Sequence, residues 1–248
     1  MRQPGTWTPE DFHRLTENTT WVFEELLANG GGPLPNEYKW SNGQVGPMIP
    51  TDCNDTRPYM HLFYDLVRGI NTTPHGPPPP SVPIACVQIG VRRATMSLAM
   101  LTAIRDRPGN GILVDVECDP ASAEISARAV KEVGGPSLSQ YWRLVQGYSH
   151  EPSTLEAVKI GLRQINGQDR PIDFLFIDGD HTHEAITNDL AIYAPLVRPV
   201  GGMILVHDSV MPEVSKALRE LTDNFPGKYQ AVNFPWSMGM TMLQSMEG

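Results

Sequence analysis

The feature that most constrains the fold is a regular alternation of short apolar segments with helical segments from Ile84 onward. The apolar segments are rich in β-branched residues, and buried strands joined by helices are typical of a mainly parallel sheet covered on both faces. The predicted strands are Ile84–Ile89, Gly111–Val116, Trp142–Gln146, Ile172–Ile177 and Met203–Val206. The predicted helices are Thr95–Arg105, Ser122–Val133, Thr154–Ile165, Glu184–Leu196 and Pro212–Asn224.

The last two apolar segments, Tyr229–Phe234 and Gly239–Leu243, predict a hairpin. Only Pro235–Met238 separates them, and so short a link suits an antiparallel pair rather than a helical crossover. We therefore predict an α/β fold with a doubly wound, mainly parallel seven-stranded sheet that ends in an antiparallel hairpin. Ligands of such sheets bind beyond the carboxyl ends of the strands, near the point where the strand order reverses.

The first 83 residues have a different character and predict a separate N-terminal extension, helical in part and otherwise irregular. Helical patterns occur at Thr8–Ala28 and Arg57–Ile70, and a proline-rich tract follows at Pro74–Pro83. This tract is interpreted as a stiff connector or lid hinge, or more simply as a surface linker. The chain thus divides into residues 1–83, a lid or assembly segment that is a candidate for forming a homo-oligomer, and residues 84–248, the main domain.

Composition narrows the class of partner. The net charge is −9 without a basic cluster, so the attraction that drives nucleic-acid binding has no obvious source. No apolar run is long enough to span a membrane, and the N-terminus lacks the apolar stretch of a signal peptide. The three cysteines show no CxxC spacing, which argues against disulfides or a thiolate zinc site. We expect a cytoplasmic protein that acts on a small molecule, without nucleic-acid or membrane partners.

The ends of the first three strands hold candidate ligand-binding residues. Gly90 directly follows a buried strand, where glycine lets the backbone turn tightly and a ligand approach closely. After the second strand, a carboxylate is placed to accept hydrogen bonds from both ribose hydroxyls, although Asp119 there would also suit a helix cap. After the third strand, Ser149 and His150 could edge an adenine ring; alternatively, Ser149 or Ser153 is only the N-cap of the next helix.

The fourth and fifth strand ends give the clearest signal of chemistry. Two carboxylates and two imidazoles occur within six residues, at Asp178, Asp180, His181 and His183, and the fifth strand ends in His207-Asp208. If these strands are neighbours, Asp178, His207 and Asp208 converge on one small volume. Oxygen ligands with an added imidazole suit Mg²⁺ or Mn²⁺.

The remaining polar residues of this stretch have separate interpretations. The ordinary pKa of histidine, near 6.5, suits His181 to a role as general base around neutral pH. His183 falls inside the following helix and is interpreted as structural. Asp180 is predicted to cap that helix, with Glu184 near its first turn.

The order of these pieces resembles the class I S-adenosylmethionine-dependent methyltransferases. The closest resemblance is to the branch that contains cephalosporin-hydroxylase-like proteins and the metal-dependent O-methyltransferases of macrolide sugars. It extends loosely from Trp40 to Leu243 and is strong from Ile172 to Asp208. The matching pieces are Gly147–Thr154, Ile172–His181, Asp189-Leu190, Tyr193–Pro199, Gly201-Gly202 and His207-Asp208.

The resemblance implies a set of roles for these residues. It puts the methionine end of the cofactor against Gly90 and beside Asp178, the ribose on Glu117 and the adenine near Ser149 and His150. It makes Asp178 and Asp208 metal ligands, and His181 the base. His207 stands where the macrolide-sugar enzymes carry a further acidic ligand.

The first strand end departs from the family pattern. Gln88 stands where members usually carry an acidic residue, and Arg92 and Ala94 stand near the usual glycines. Gln88 can still hydrogen-bond the cofactor, but it supplies no charge to the cofactor's ammonium group.

The function that the resemblance implies is metal-dependent O-methyl transfer from S-adenosylmethionine, with Mg²⁺ or Mn²⁺. The acceptor would be a sugar diol of a natural product, as in antibiotic biosynthesis, or a catechol-like phenol. The alternative is an enzyme of the same fold, or a partner subunit in secondary metabolism, that does not transfer methyl groups. Trp40 and Gln44–Ile49 are predicted to contribute to a lid that sets specificity.

Overall fold

The computed structural model describes residues 37–39, 45–47, 57–70, 82–165, 167–234 and 239–246. The predicted helix Thr8–Ala28, Trp40 and nearly all of the proline-rich tract lie outside these residues. Within the predicted lid segment Gln44–Ile49, the described part is a short strand, Val45–Pro47, which pairs antiparallel with Glu37–Lys39. This two-stranded sheet was not predicted from the sequence.

The elements follow one another as the alternating pattern predicts. The strands are β1 (Glu37–Lys39), β2 (Val45–Pro47), β3 (Ile84–Ile89), β4 (Gly111–Glu117), β5 (Trp142–Gln146), β6 (Phe174–Ile177), β7 (Met203–His207), β8 (Tyr229–Phe234) and β9 (Met240–Ser245). The helices are α1 (Arg57–Gly69), α2 (Thr95–Asp106), α3 (Pro120–Ala129), α4 (Gly135–Ser139), α5 (Pro152–Arg163), α6 (His183–Tyr193) and α7 (Pro212–Asn224). A π-helical turn, Val130–Gly134, joins α3 to α4, and a 3₁₀ turn, Ala194–Leu196, follows α6.

The main sheet has seven strands in the order β5-β4-β3-β6-β7-β9-β8. The first five of these are parallel, whereas β9 pairs antiparallel with both β7 and β8. The predicted fold class is therefore confirmed, including the C-terminal hairpin. The chain winds outward from β3 in one direction and from β6 in the other, so the strand order reverses between β3 and β6. Ligands of doubly wound sheets bind at this position.

Each face of the sheet has its own apolar core. One face packs against α1, α2 and α4 through buried side chains such as Phe63, Leu98 and Leu138. The opposite face packs against α5, α6 and α7 through Val158, Leu190 and other apolar residues. Among the described residues, no helix combines the length and the apolar character needed to cross a membrane.

Helix α1 precedes the main domain in sequence but packs into its core. The ring of the fully buried Phe63 stands edge-on to Phe176, with ring centroids 4.5 Å apart. The Arg107 guanidinium donates to the carbonyls of Arg68 at 2.8 Å and Ile70 at 2.9 Å, at the end of the helix. A helix leaves its last carbonyls without intrahelical partners, and a buried cation at this end satisfies them. Arg107 thus fixes α1 to the sheet.

Asp173 belongs to the stretch that signals chemistry, but its role is structural. Its carboxylate lies at the amino end of β6, where it accepts from the amide of Ala85 at 2.8 Å. It also pairs with Arg170 at 2.9 Å and Arg198 at 3.1 Å. A buried carboxylate is tolerated when it is paired in this way. Asp173 and Asp178 therefore lie at opposite ends of one short strand.

The N-caps of two helices differ from those predicted. The N-cap of α5 is Glu151, not Ser149 or Ser153, and Pro152 occupies its first turn. The N-cap of α6 is Thr182, whose hydroxyl accepts from the amide of Ala185 at 3.2 Å. Asp180 does not cap this helix; it accepts from the amide of Thr182 and closes the preceding turn. Proline suits the first helical position because it has no amide hydrogen to satisfy there.

A buried carboxyl in the middle of β4 predicts an unusual dependence of stability on pH. Burial raises the pKa of Asp115 to about 7, although the indole of Trp142 donates to it at 2.7 Å. The unfolded carboxyl titrates near 3.9, so the folded state binds more protons between about pH 4 and 7 and loses stability as the pH rises through this window. Replacing Asp115 with Asn is expected to stabilise the protein relative to wild type by about 2–3 kcal/mol more at pH 8 than at pH 5.

Urea unfolding of both proteins at the two pH values measures this difference. The control is Asp223→Asn, which changes an exposed carboxylate on α7. Its difference in stability from wild type should be the same at both pH values. Parallel pH profiles for wild type and Asp115→Asn would contradict the interpretation.

Candidate active site

The candidate site begins where β3 and β6 end side by side at the reversal of strand order. Gly90 follows β3 with φ +81°, and a Cβ placed on it would lie 2.0 Å from the carbonyl oxygen of Asp178. Only glycine fits such a contact with this backbone conformation. The tight turn predicted at Gly90 is present, but the group that approaches it closely is the backbone of Asp178. The glycine thus brings the two strand ends together.

Beyond these strand ends, two carboxylates and two imidazoles form one cluster. His181 Nε2 lies 2.8 Å from Asp208 Oδ2 and 3.7 Å from Asp178 Oδ1. His207 Nδ1 lies 3.0 Å from Asp208 Oδ2 and 3.2 Å from Asp178 Oδ1. Because β6 and β7 are parallel neighbours, their carboxyl ends bring these residues together as the sequence predicts.

The charges of the cluster shift the pKa values of all four groups. Burial alone would lower the pKa of each histidine, but the carboxylates outweigh it and raise the pKa of His181 to about 10 and that of His207 to about 11. Burial acts in the opposite sense on the carboxyls, yet the two imidazoles hold the pKa of Asp178 and of Asp208 below the usual range. Without a bound cation, the two carboxylates therefore favour the protonated form of both imidazoles.

This result corrects the expectation that His181 keeps an ordinary pKa. A general base must be unprotonated before it can accept a proton. In the cluster, Asp208 and Asp178 both favour the protonated form of His181. His181 can serve as a base only when another positive charge compensates these carboxylates.

The backbone of Asp208 adopts a left-handed conformation, with φ +56°. This conformation is uncommon for a residue with a side chain, although Asp and Asn tolerate it better than most. Unfavourable backbone conformations persist where the surrounding structure holds them in place, and they are concentrated at functional sites. Here the conformation accompanies a carboxylate that contacts both histidines.

The donor atoms of the cluster fit a divalent cation. Asp178, His207 and Asp208 each offer one ligand atom, and these atoms all lie within 4.8 Å of one another. Two carboxylate oxygens and one imidazole nitrogen are ligands that Mg²⁺ and Mn²⁺ accept. A cation bound between them would also relieve the repulsion between the two carboxylates, which lie close together.

Glu117, the residue expected to bind a ribose, is engaged with the backbone. Its Oε2 accepts from the amides of Val91 at 3.0 Å and Arg92 at 2.9 Å, and its Oε1 accepts from the amide of Asp119 at 2.9 Å. The carboxylate is largely buried and ties the turn after β3 to the end of β4. Asp119 in turn is the N-cap of α3, accepting from the amide of Ser122, as one interpretation of the sequence proposed.

In the turn after β3, two residues other than glycine adopt an unusual backbone conformation. Arg92 and Ala94 have φ values of +53° and +58°, in the left-handed region. Such a conformation costs about 1–2 kcal/mol for a residue with a side chain. Gln88 stabilises the turn from inside, since its amide donates to the carbonyl of Gly90 at 2.9 Å and its carbonyl accepts from the hydroxyl of Ser97 at 3.2 Å. The structure thus gives Gln88 a role in shaping the turn.

The loop after β5 is attached to α6 at Ser149. The Ser149 hydroxyl donates to Asp189 at 2.5 Å, and the Tyr193 hydroxyl donates to the carbonyl of Ser149 at 2.9 Å. His150 is exposed, and its ring centroid lies 5.7 Å from that of Tyr148. Sequence reasoning missed Asp189 and Tyr193 as functional candidates, although both lie in the stretch that resembles the family.

His183 lies away from the cluster, as predicted. It is the first residue of α6, and its Nε2 lies 2.7 Å from a carboxylate oxygen of Glu220 on α7. This contact joins two neighbouring helices at the surface. His181 and His183 thus lie in different surroundings although only Thr182 separates them in sequence.

One family of known proteins matches the part of the chain that holds the cluster. The family model of a methyltransferase domain matches residues 87–209, which run from the end of β3 to just past Asp208. No match was found among curated proteins.

Solved structures of methyltransferases share the fold at low sequence identity. An O-methyltransferase from Bacillus cereus in complex with S-adenosylhomocysteine (SAH) has 15% identity and a TM-score of 0.57, with 92% of this chain and 90% of that chain covered. TomG from Streptomyces achromogenes, an O-methyltransferase involved in tomaymycin synthesis and solved with S-adenosylmethionine (SAM), has 15% identity and a TM-score of 0.58, with coverage of 99% and 100%. The SAH-bound methyltransferase PaMTH1 from Podospora anserina has 13% identity and a TM-score of 0.59, with coverage of 94% and 88%.

The strand order, the reversal point between β3 and β6 and the matched domain agree with one another. Residues 87–209 match a methyltransferase domain, and the chain shares its fold with methyltransferases solved with SAM or SAH.

Proposed function

We propose that this protein transfers a methyl group from SAM to a hydroxyl oxygen of a small molecule, with a divalent cation held at Asp178, His207 and Asp208. The observation that carries the proposal is the cluster of two carboxylates and two imidazoles at the ends of β6 and β7. It lies beside Gly90, at the position where doubly wound sheets bind their ligands. The O-methyltransferases with this fold, including TomG, support oxygen as the methyl acceptor.

The acceptor that suits such a site presents two adjacent oxygens. A vicinal diol of a natural-product sugar and a catechol-like phenol both have this arrangement. A cation at the cluster would supply positive charge that lowers the pKa of an acceptor hydroxyl and fixes its orientation. Mg²⁺ is the first candidate and Mn²⁺ the second, because both accept oxygen ligands and tolerate an imidazole.

The chain's own residues would place the reacting atoms and move the proton. His181 lies 2.8 Å from Asp208 and 3.7 Å from Asp178, so it borders the volume where the acceptor oxygen would bind. The acceptor oxygen forms its bond to the methyl carbon as the bond between this carbon and the sulfonium breaks. The hydroxyl proton passes to Nε2 of His181, which must first have lost its own proton.

The cofactor would bind along the ends of β3, β4 and β5, against Gly90, Glu117 and the Ser149-His150 loop. Each carboxylate oxygen can accept two hydrogen bonds. In the described structure Oε2 of Glu117 already accepts two and Oε1 accepts one. Oε1 can therefore accept one ribose hydroxyl while the turn stays intact. Gln88 would act indirectly, by maintaining the turn on which the methionine end rests.

Methyl transfer is tested with SAM that carries a labelled methyl group. The protein is incubated with this cofactor, Mg²⁺ and a panel of glycosides and phenols, and the products are analysed by mass. A product with the label on oxygen supports the proposal. A product without label would support the alternative, an enzyme of the same fold that catalyses a different step.

Removal of divalent cations is expected to abolish turnover. The cluster alone keeps His181 protonated, and positive charge is needed both to release this proton and to lower the pKa of the acceptor. Turnover is measured after treatment with a chelator, and again after addition of Mg²⁺ or Mn²⁺ in excess. Unchanged turnover in the chelator would contradict the metal role.

A further inference from the structure

We propose that Asp189 is a positioning residue that holds the adenine-binding loop of the cofactor site in place. The loop comprises residues Gly147–Glu151, between β5 and α5. The inference rests on the proposed function, since it assumes that this loop meets the adenine of SAM. It adds a residue on α6 that would not itself touch the cofactor.

Helix α6 holds Ser149 at two points. The Ser149 hydroxyl donates to Oδ1 of Asp189 at 2.5 Å, and the Tyr193 hydroxyl donates to the Ser149 carbonyl at 2.9 Å. Asp189 and Tyr193 are four residues apart, so they lie on the same face of the helix. Both side chain and backbone of Ser149 are therefore fixed to one rigid element.

The same carboxylate also reaches the loop that follows β6. A Cβ placed on Gly179, the residue after Asp178, would lie 3.7 Å from Oδ2 of Asp189. One oxygen of Asp189 thus contacts the loop after β5, and the other lies beneath the turn that carries Asp178. Asp189 therefore lies between the loop proposed for the adenine and the loop that carries Asp178.

Packing alone does not account for a carboxylate at this position. Asp189 is only 2% exposed, and Ile186 and Leu190 beside it on α6 belong to the apolar core. Burial raises the pKa of Asp189 to about 6, against the opposing effect of the Ser149 hydroxyl. An apolar side chain would avoid the cost of burying a carboxyl group. The hydrogen bond to Ser149 is the interaction that an apolar residue could not replace.

The hydrogen bond between Ser149 and Asp189 also determines which groups of the loop are left to contact adenine. The Ser149 hydroxyl is already engaged with Asp189, so it is not the group that we expect to read the base. The ring of Tyr148 is 57% exposed and lies next to the ring of His150. These two rings are surfaces that the loop can offer to a flat heteroaromatic base.

The test compares SAH binding with turnover in a set of variants. Asp189→Ala is expected to raise the dissociation constant of SAH about tenfold, with kcat at saturating SAM within about twofold of wild type. Asp189→Asn keeps an oxygen that accepts from Ser149, so it should restore most of the affinity. Tyr193→Phe removes only a hydroxyl and should weaken SAH binding in the same direction. Asn188→Ala, an exposed neighbour on α6, is the matched control and should bind SAH like wild type.

A double-variant cycle separates positioning from general stability. If Asp189 acts through Ser149, the variant with both Ser149→Ala and Asp189→Ala should bind SAH no more weakly than Asp189→Ala alone. Variants that melt at lower temperature but bind SAH like wild type would show a purely structural role and overturn the inference. If the wild-type protein does not bind SAH, the proposed function itself is wrong, and the inference is overturned with it.

Discussion

Replacing Asp208 with asparagine is expected to lower turnover about a thousandfold. Asp208 is the carboxylate that contacts both His181 and His207, and it is one of the three proposed cation ligands. Asparagine keeps its size and tolerates the left-handed backbone at this position. The loss of turnover would therefore be due to the missing negative charge. Removing several kcal/mol of transition-state stabilisation lowers the rate by a factor of this order.

The measurement is kcat at saturating SAM and acceptor, together with the affinity for Mn²⁺ measured by calorimetry. Both should fall in Asp208→Asn. The control is Asp180→Asn, which changes an exposed carboxylate of the neighbouring loop. It should keep turnover within about twofold of wild type. If Asp208→Asn also stayed within about tenfold of wild type, the proposed role of the cluster would be wrong.

Replacing His181 with alanine is expected to lower turnover by a factor of about 10²–10⁴, the range typical of a lost general base. The imidazole lies against both carboxylates of the cluster, at the edge of the volume proposed for the acceptor. The other imidazole of the cluster, His207, is itself a proposed cation ligand, so it would not replace His181 as the base.

His183→Ala provides a matched comparison two residues further along the chain, at the start of α6. His183 contacts Glu220 at the surface, and exposed ion pairs contribute about 0–1 kcal/mol. Its turnover should thus stay close to that of wild type, with at most a small decrease in stability. Rates are measured across pH 6–9, because a base that must lose its proton should leave a rising limb in the wild-type profile that His181→Ala lacks. Comparable losses in the two variants would argue that His181 acts only through the structure of the loop.

The sequence was sufficient to predict the sheet because its strands are clearly separated along the chain and the central ones are fully buried. β3, β5 and β8 begin and end where the apolar runs do, and β6 and β7 lie side by side as the site required. Convergence of Asp178 with His207 and Asp208 follows from this topology. Parallel neighbours necessarily bring their carboxyl ends to one edge of the sheet.

The details of the site depend on contacts that local sequence patterns do not encode. The raised pKa of His181 arises from Asp178, three residues earlier, and from Asp208, which is distant along the chain and whose effect the local sequence does not show. Ser149 looks like a helix cap in isolation, yet its hydroxyl is taken by Asp189 on another helix. Glu117 has the position of a ribose ligand, but its bonds to the turn after β3 appear only when β3 and β4 are paired.

The position of β6 limits how the site can move. This strand lies between β3 and β7, and all four of its residues are buried. Opening a central, fully buried strand requires a free energy close to that of unfolding the whole domain, whereas loops open locally at far lower cost. The strand end that carries Asp178 is therefore stationary on the timescale of turnover. Adjustment to different acceptors must occur in the loops at the ends of the other strands.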